Sequence, residues 1–87
     1  MWVMNGSAQH RWRRGVGRRI RNQRQHVLGI TQVDLAELVG VTQKTVSLWE
    51  RGQRVPSHYH MPRLLAVLHM DVADLLAYPD QDLQRAA

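Results

Sequence analysis

Apolar positions fall into a helical rhythm from Val16 onward, where Val16, Ile20 and Val27 recur at steps of four and seven. That spacing places them on one face and predicts a first helix running to about His26, ended by Leu28-Gly29. Residues 1–14 mix Gly, Ser, Gln, His and Arg without a comparable period, and are expected to form a mobile basic arm. The second helix has a sharper start. Thr31 can cap it, Asp34 at the third helical position completes a variant of the capping box, and Leu35, Ala36 and Val39 share a face. Gly40 is expected to stop it in a left-handed conformation. Only Val41 separates that glycine from the next cap, Thr42, so the second and third helices must cross steeply.

A third helix is predicted over residues 43–51, ending at Gly52. Its buried face is Val46 with Trp49, and its other face holds Gln43, Lys44, Ser47, Leu48 and Arg51. Pro56 and Ser57 mark a loop. A fourth helix follows from about Met61 through Leu64, Leu65 and Leu68, with Pro62 tolerated in the first turn, where its missing N–H costs nothing. Asp71 caps a short fifth helix containing Asp74 at its third position and Val72, Leu75 and Leu76, which Pro79 terminates. No strand pattern and no repeat is visible. The expected fold is therefore all-α, a compact five-helix domain over residues 15–78, with the arm before it and a short tail over 79–87.

Charge sharpens this picture. The 87 residues leave room for one domain and little for a deep substrate cleft, and the net charge of +5 favours polyanionic partners. It is also unevenly placed: Arg11, Arg13, Arg14, Arg18, Arg19, Arg21 and Arg24 precede the first acid, Asp34, while Asp71, Asp74, Asp80 and Asp82 fall near the end. Cysteine is absent, which excludes disulfide and thiolate chemistry and suits a reducing cytoplasm, whether of a bacterium or of a phage's host. No apolar run approaches the roughly 20 residues a membrane span needs, and the first residues lack the apolar stretch of a secretory signal.

The stretch from Thr31 to Gly52, TQVDLAELVGVTQKTVSLWERG, concentrates the chemistry. Gln32, Leu35-Ala36, Gly40-Val41-Thr42, Val46, Trp49, Glu50 and Gly52, continued through Pro56 and the segment Ala66 to Leu76, closely resemble the helix-turn-helix domain of phage repressor and Cro-type regulators, the xenobiotic-response-element family. The resemblance covers roughly Val16 to Ala77. It implies a repressor-type domain that binds double-stranded DNA as a homodimer on a two-fold operator, with recognition helices about 34 Å apart. A major groove about 12 Å wide admits one helix, and each base pair shows its edge there as a distinct set of donors and acceptors. By the resemblance, Gln43, Lys44, Ser47 and Leu48 take the base-reading positions: Gln can pair with adenine, Lys with guanine, and Leu48 can meet a thymine methyl. Phosphate contacts are implied at Gln32, Thr42, Thr45, Arg51, Gln53 and Arg54, with further contacts from Arg13, Arg14 and Arg18 in the arm.

Glu50 would repel phosphate on a DNA-facing surface, so it is expected to turn inward. The family pairs an equivalent Glu with an Arg of the first helix, for which Arg24 is the first candidate and Arg21 or Gln25 the alternatives. The segment from Arg24 to Gly29 is one residue longer than the usual spacing.

Other constellations are weak. Trp49 can stack on bases, but its spacing from Val46 favours the core. His58 and His60 flank Tyr59 without the further ligands zinc requires, and read better as surface loop histidines. Gly15-Val16-Gly17 lacks a preceding strand and a third glycine, so it is not a nucleotide loop. No catalytic set, cofactor or metal is expected. Two rival functions remain at this point. One is the antitoxin of a toxin–antitoxin pair, with residues 78–87 neutralising a toxin. The other is a bridging cofactor with little direct DNA readout.

Overall fold

The computed structural model describes residues 6–77, whose regular elements are all helices, with no strand among them. Helix α1 spans Gly6–Asn22 and runs on without a break into a π-helical turn, Gln23–Leu28, which Gly29 ends. Then come α2 (Gln32–Val39), α3 (Gln43–Glu50), α4 (Met61–Leu68) and α5 (Val72–Leu76). The predicted tail and its Pro79 lie outside the described residues.

The core is one cluster: Val16 and Ile20 of α1, Leu35, Ala36 and Val39 of α2, Val46 and Trp49 of α3, Leu64 and Leu68 of α4, and Leu75 of α5. Each of the five helices contributes its apolar stripe to that centre, and none could bury it alone.

Two expectations about the first helix are corrected. Residues 6–14 are not an arm but the beginning of α1. The apolar series starts one turn before Val16, at Trp12, whose indole Nε1 donates to the Leu76 carbonyl at 2.9 Å while its ring packs against the core. Arg19 Nη1 donates to the Leu75 carbonyl at 2.9 Å, and Gln23 Nε2 to the Leu68 carbonyl at 2.8 Å. One side of α1 thereby satisfies carbonyls that the ends of α4 and α5 leave without helical partners. That ties the N-terminal turns into the body.

The second correction concerns Val27, which is not on the buried face but 65% exposed. The π turn, with its wider i→i+5 ladder, absorbs one extra residue and rotates everything after it. Leu28 packs against the core instead. The surplus residue between Arg24 and Gly29 is thus accommodated without moving Arg24 or the cap.

The turn between α2 and α3 forms through local chemistry. Thr31 Oγ1 accepts from Asp34 N at 3.1 Å and the Asp34 carboxylate accepts from Thr31 N at 3.1 Å, a complete capping box. Gly40, at φ 88°, adopts the left-handed conformation that a β-carbon would disfavour. Thr42 then caps α3, its Oγ1 accepting from Thr45 N at 3.2 Å. Asp71 occupies the N-cap position of α5 in an extended conformation, but its side chain makes no capping bond.

Candidate nucleic-acid interface

Helix α3 is held by its inner face alone. Val46 is fully buried and Trp49 is 2% exposed, so Lys44, Ser47 and Leu48 fall on the side of the helix away from the core and Gln43 at its flank. Gln43 and Lys44 are exposed, and Ser47 and Leu48 are half-buried one turn later. Gln43 and Lys44 make no side-chain hydrogen bond or ion pair among the described residues, which leaves their polar ends available to a ligand. Trp49 faces the interior beside His60, ring centroids 6.4 Å apart, and presents no platform to bases. His60 is therefore half-buried at the start of α4, unlike the exposed His58, and accepts or donates at Nδ1 with Ser57 Oγ at 3.2 Å.

What fixes the attitude of α3 is a buried ion pair at its C-terminal end. Glu50 turns inward, and Arg24 rather than Arg21 or Gln25 meets it: Nε to Oε2 at 2.6 Å and Nη2 to Oε1 at 2.9 Å. Arg21 and Gln25 are exposed. The Arg24 Nη1 also donates to the Ile30 carbonyl at 2.8 Å, and Gln32 Nε2 donates to Glu50 Oε1 at 3.1 Å. One guanidinium–carboxylate pair thus joins the π turn, the loop before α2, the first residue of α2 and the last residue of α3. The carboxylate raises the Arg24 pKa above its already high ordinary value, chiefly through the hydrogen bond, while burial opposes it.

The flanking residues divide into two kinds. Arg51, Gln53 and Arg54 are exposed just beyond α3, with Arg51 Nε donating to the Ser47 carbonyl at 3.3 Å. Gln32, Thr42 and Thr45 are partly committed to the fold. Gln32 spends one amide hydrogen on Glu50, and the Thr42 and Thr45 hydroxyls lie 3.0 Å apart in the cap of α3. Gln32 keeps a second amide hydrogen, and the opening turn of α2 keeps the backbone N–H groups that the Thr31 cap, bonded to Asp34 N, does not satisfy.

Of the three arginines expected in the arm, Arg13 is half-buried with its Nε enclosed and without a partner, whereas Arg14 and Arg18 are exposed on α1. Sequence reasoning missed Trp12 and the close approach of α1 to α3. Trp12 was legible as one more step of four before Val16. The close approach was not, because a glycine inside a helix carries no sign of what lies against it.

An all-helical domain with one short helix pinned by its inner face and polar along its outer face is a helix-turn-helix DNA-binding unit. A helix-turn-helix family model matches residues 20–75, and the chain belongs to that family, the phage repressor and Cro-type DNA-binding regulators. No curated protein sequence matches the chain.

Proposed function

We propose that the protein is a sequence-specific regulator of transcription that inserts α3 into the major groove and represses promoters overlapping its site. The observation that supports this reading most strongly is the division of α3 itself: Val46 and Trp49 anchor it while Gln43 and Lys44 stand exposed at its N-terminal end. Base edges are read from that end, by Gln43 and Lys44 first, then by Ser47 and Leu48 one turn on. Arg51, Gln53 and Arg54 clamp one backbone beside the helix. Gln32, Thr42 and Thr45, with the N–H groups opening α2 and α3, hold phosphate at the other edge. Two copies bind a two-fold site, pairing through the exposed parts of α4 and α5. Tyr78 lies outside the described residues.

Selection from random-sequence duplexes at a stated salt concentration tests the whole reading, since an enriched palindrome demonstrates both base readout and two-fold binding. Gln43→Ala and Lys44→Ala are each expected to cost about 1–3 kcal/mol on the selected site and to relax preference at particular positions. Absence of any enriched motif, with both variants indistinguishable from the parent, overturns base readout and leaves a bridging role.

A further inference from the structure

We propose that the outer face of α1 is a second DNA contact, a rail of arginines that grips the phosphate backbone flanking the site read by α3. It rests on the reading of α3 as the base-contacting helix and lengthens that footprint.

Arg11, Arg14, Arg18 and Arg21 are all exposed, and they recur at steps of three, four and three. That is the spacing of one helical stripe, and it spans about 15 Å at 1.5 Å per residue. Among the described residues no acid balances these charges. Among the described residues the single ion pair is Arg24 with Glu50, Arg19 is spent on the Leu75 carbonyl, and none of the four stripe arginines has a hydrogen bond or carboxylate partner. Like charges at such spacing repel one another by a few tenths of a kcal/mol per pair. A helix that leaves four of them unbalanced is complementary to a polyanion outside the molecule.

The packing of α1 says where that polyanion lies. A β-carbon on Gly17 would strike the Trp49 carbonyl oxygen and sit 2.6 Å from that of Glu50, so α1 crosses directly against the C-terminal end of α3. One on Gly52 would sit 2.8 Å from the Arg14 Cα and 2.9 Å from its nitrogen. Arg14 therefore stands on the residue that separates Arg51 from Gln53 and Arg54, and the stripe continues the basic edge beyond α3 without a gap. Arg11 lies one turn further out. A duplex already held by Arg51 and Arg54 meets Arg14 and Arg11 next along its backbone. Residues 6–19 precede the segment that the family model matches, so Arg11, Arg14 and Arg18 lie outside that segment and Arg21 within it.

The test measures binding to a mixed-sequence linear duplex over a range of salt concentrations. Converting Arg11, Arg14, Arg18 and Arg21 together to Gln is expected to flatten the slope of log K against log salt by up to about 0.9 for each phosphate no longer neutralised. Converting the same four to Lys should keep the slope. Progressive trimming of the duplex flanks provides a reading on the unaltered protein: affinity should fall as flanks shorten, and the quadruple Gln variant should be indifferent to the trimming. An unchanged slope, or affinity independent of flank length in the unaltered protein, overturns the rail. Failure of the base-reading helix looks different, since Gln43→Ala and Lys44→Ala would then leave the selected sequence preference intact whatever the salt slope does.

Discussion

The Arg24 guanidinium lies edge-on to the Glu50 carboxylate, Nε on Oε2 at 2.6 Å and Nη2 on Oε1 at 2.9 Å, with both side chains almost wholly out of solvent. Two parallel hydrogen bonds fix the relative rotation of the groups as well as their distance, which a single point contact cannot do. Because Arg24 also holds the Ile30 carbonyl and Glu50 also receives Gln32, the pair sets the angle at which α3 leaves the body. Base readout depends on that angle. Removing one partner strands a buried charge, so Glu50→Ala or Arg24→Met should each cost about 3–5 kcal/mol in urea unfolding. The double variant Arg24→Met with Glu50→Leu should recover much of that stability while DNA preference blurs, because the apolar pair fills space without fixing orientation.

The sign of the pH dependence follows from the raised Arg24 pKa. A cation held above its ordinary value stabilises fully at every pH below that ordinary value, and the contribution disappears only as pH climbs through the folded-state value. Arginine titrates far above neutrality, so the stability difference between the parent and the double variant Arg24→Met with Glu50→Leu, which strands no charge, should be flat across the neutral range. Parallel urea titrations of both proteins at several pH values check this.

Gly15 and Gly17 should respond oppositely to the same substitution. At Gly15 an added methyl would meet only the flexible end of Arg19, at 3.8 Å, so Gly15→Ala should stabilise by roughly 0.5–1 kcal/mol through better helix propensity. At Gly17 it would run into the Trp49 and Glu50 carbonyls, which are backbone and cannot rotate away. Gly17→Ala should cost about 1–3 kcal/mol or more despite the improved propensity. Thermal unfolding of the two variants separates them by direction, not only by size.

Trp12 distinguishes an anchored helix from a loose arm. Trp12→Phe keeps most of the packing and loses the bond to the Leu76 carbonyl, an expected loss of about 1 kcal/mol. Trp12→Ala also removes the ring from the core edge and should cost more. Amide exchange is the informative measurement: protection in the first turns of α1 should fall in both variants, and unchanged exchange would show that these turns never depended on the docking.

Deleting Val27 tests the π turn. The deletion removes the surplus residue and places Leu28 seven positions after Ile20, on the core face of an ordinary α-helix. Stability should be kept or improved, as judged by the thermal midpoint, and Arg24 should still pair with Glu50. A variant that fails to fold would mean that the wide turn is required in its own right.

Much of the domain was legible along the chain because its signals are local. Thr31 with Asp34, Gly40, Thr42 and the apolar steps of α2, α3 and α4 each act within a turn or two, and the structure places those elements where their spacing does. The inward turn of Glu50 was legible from charge alone, since a carboxylate is unfavourable beside phosphate. Helix periodicity failed where its own premise failed. One residue too many in a π turn shifted Val27 to the surface, and a constant step cannot report a change of step.

By itself the sequence determined where α2, α3, α4 and α5 fall, which stripe of α2, α3 and α4 is apolar, and that a net positive charge gathers before Asp34, because propensity, capping and charge are properties of near neighbours. Only the tertiary structure decided that residues 6–14 belong to the body, that Arg24 is the arginine meeting Glu50, and that Arg14 stands against Gly52 beside the exposed edge of α3. Those facts are contacts between residues 26 to 64 positions apart, or between two backbones at a glycine, and they exist only once the helices have packed.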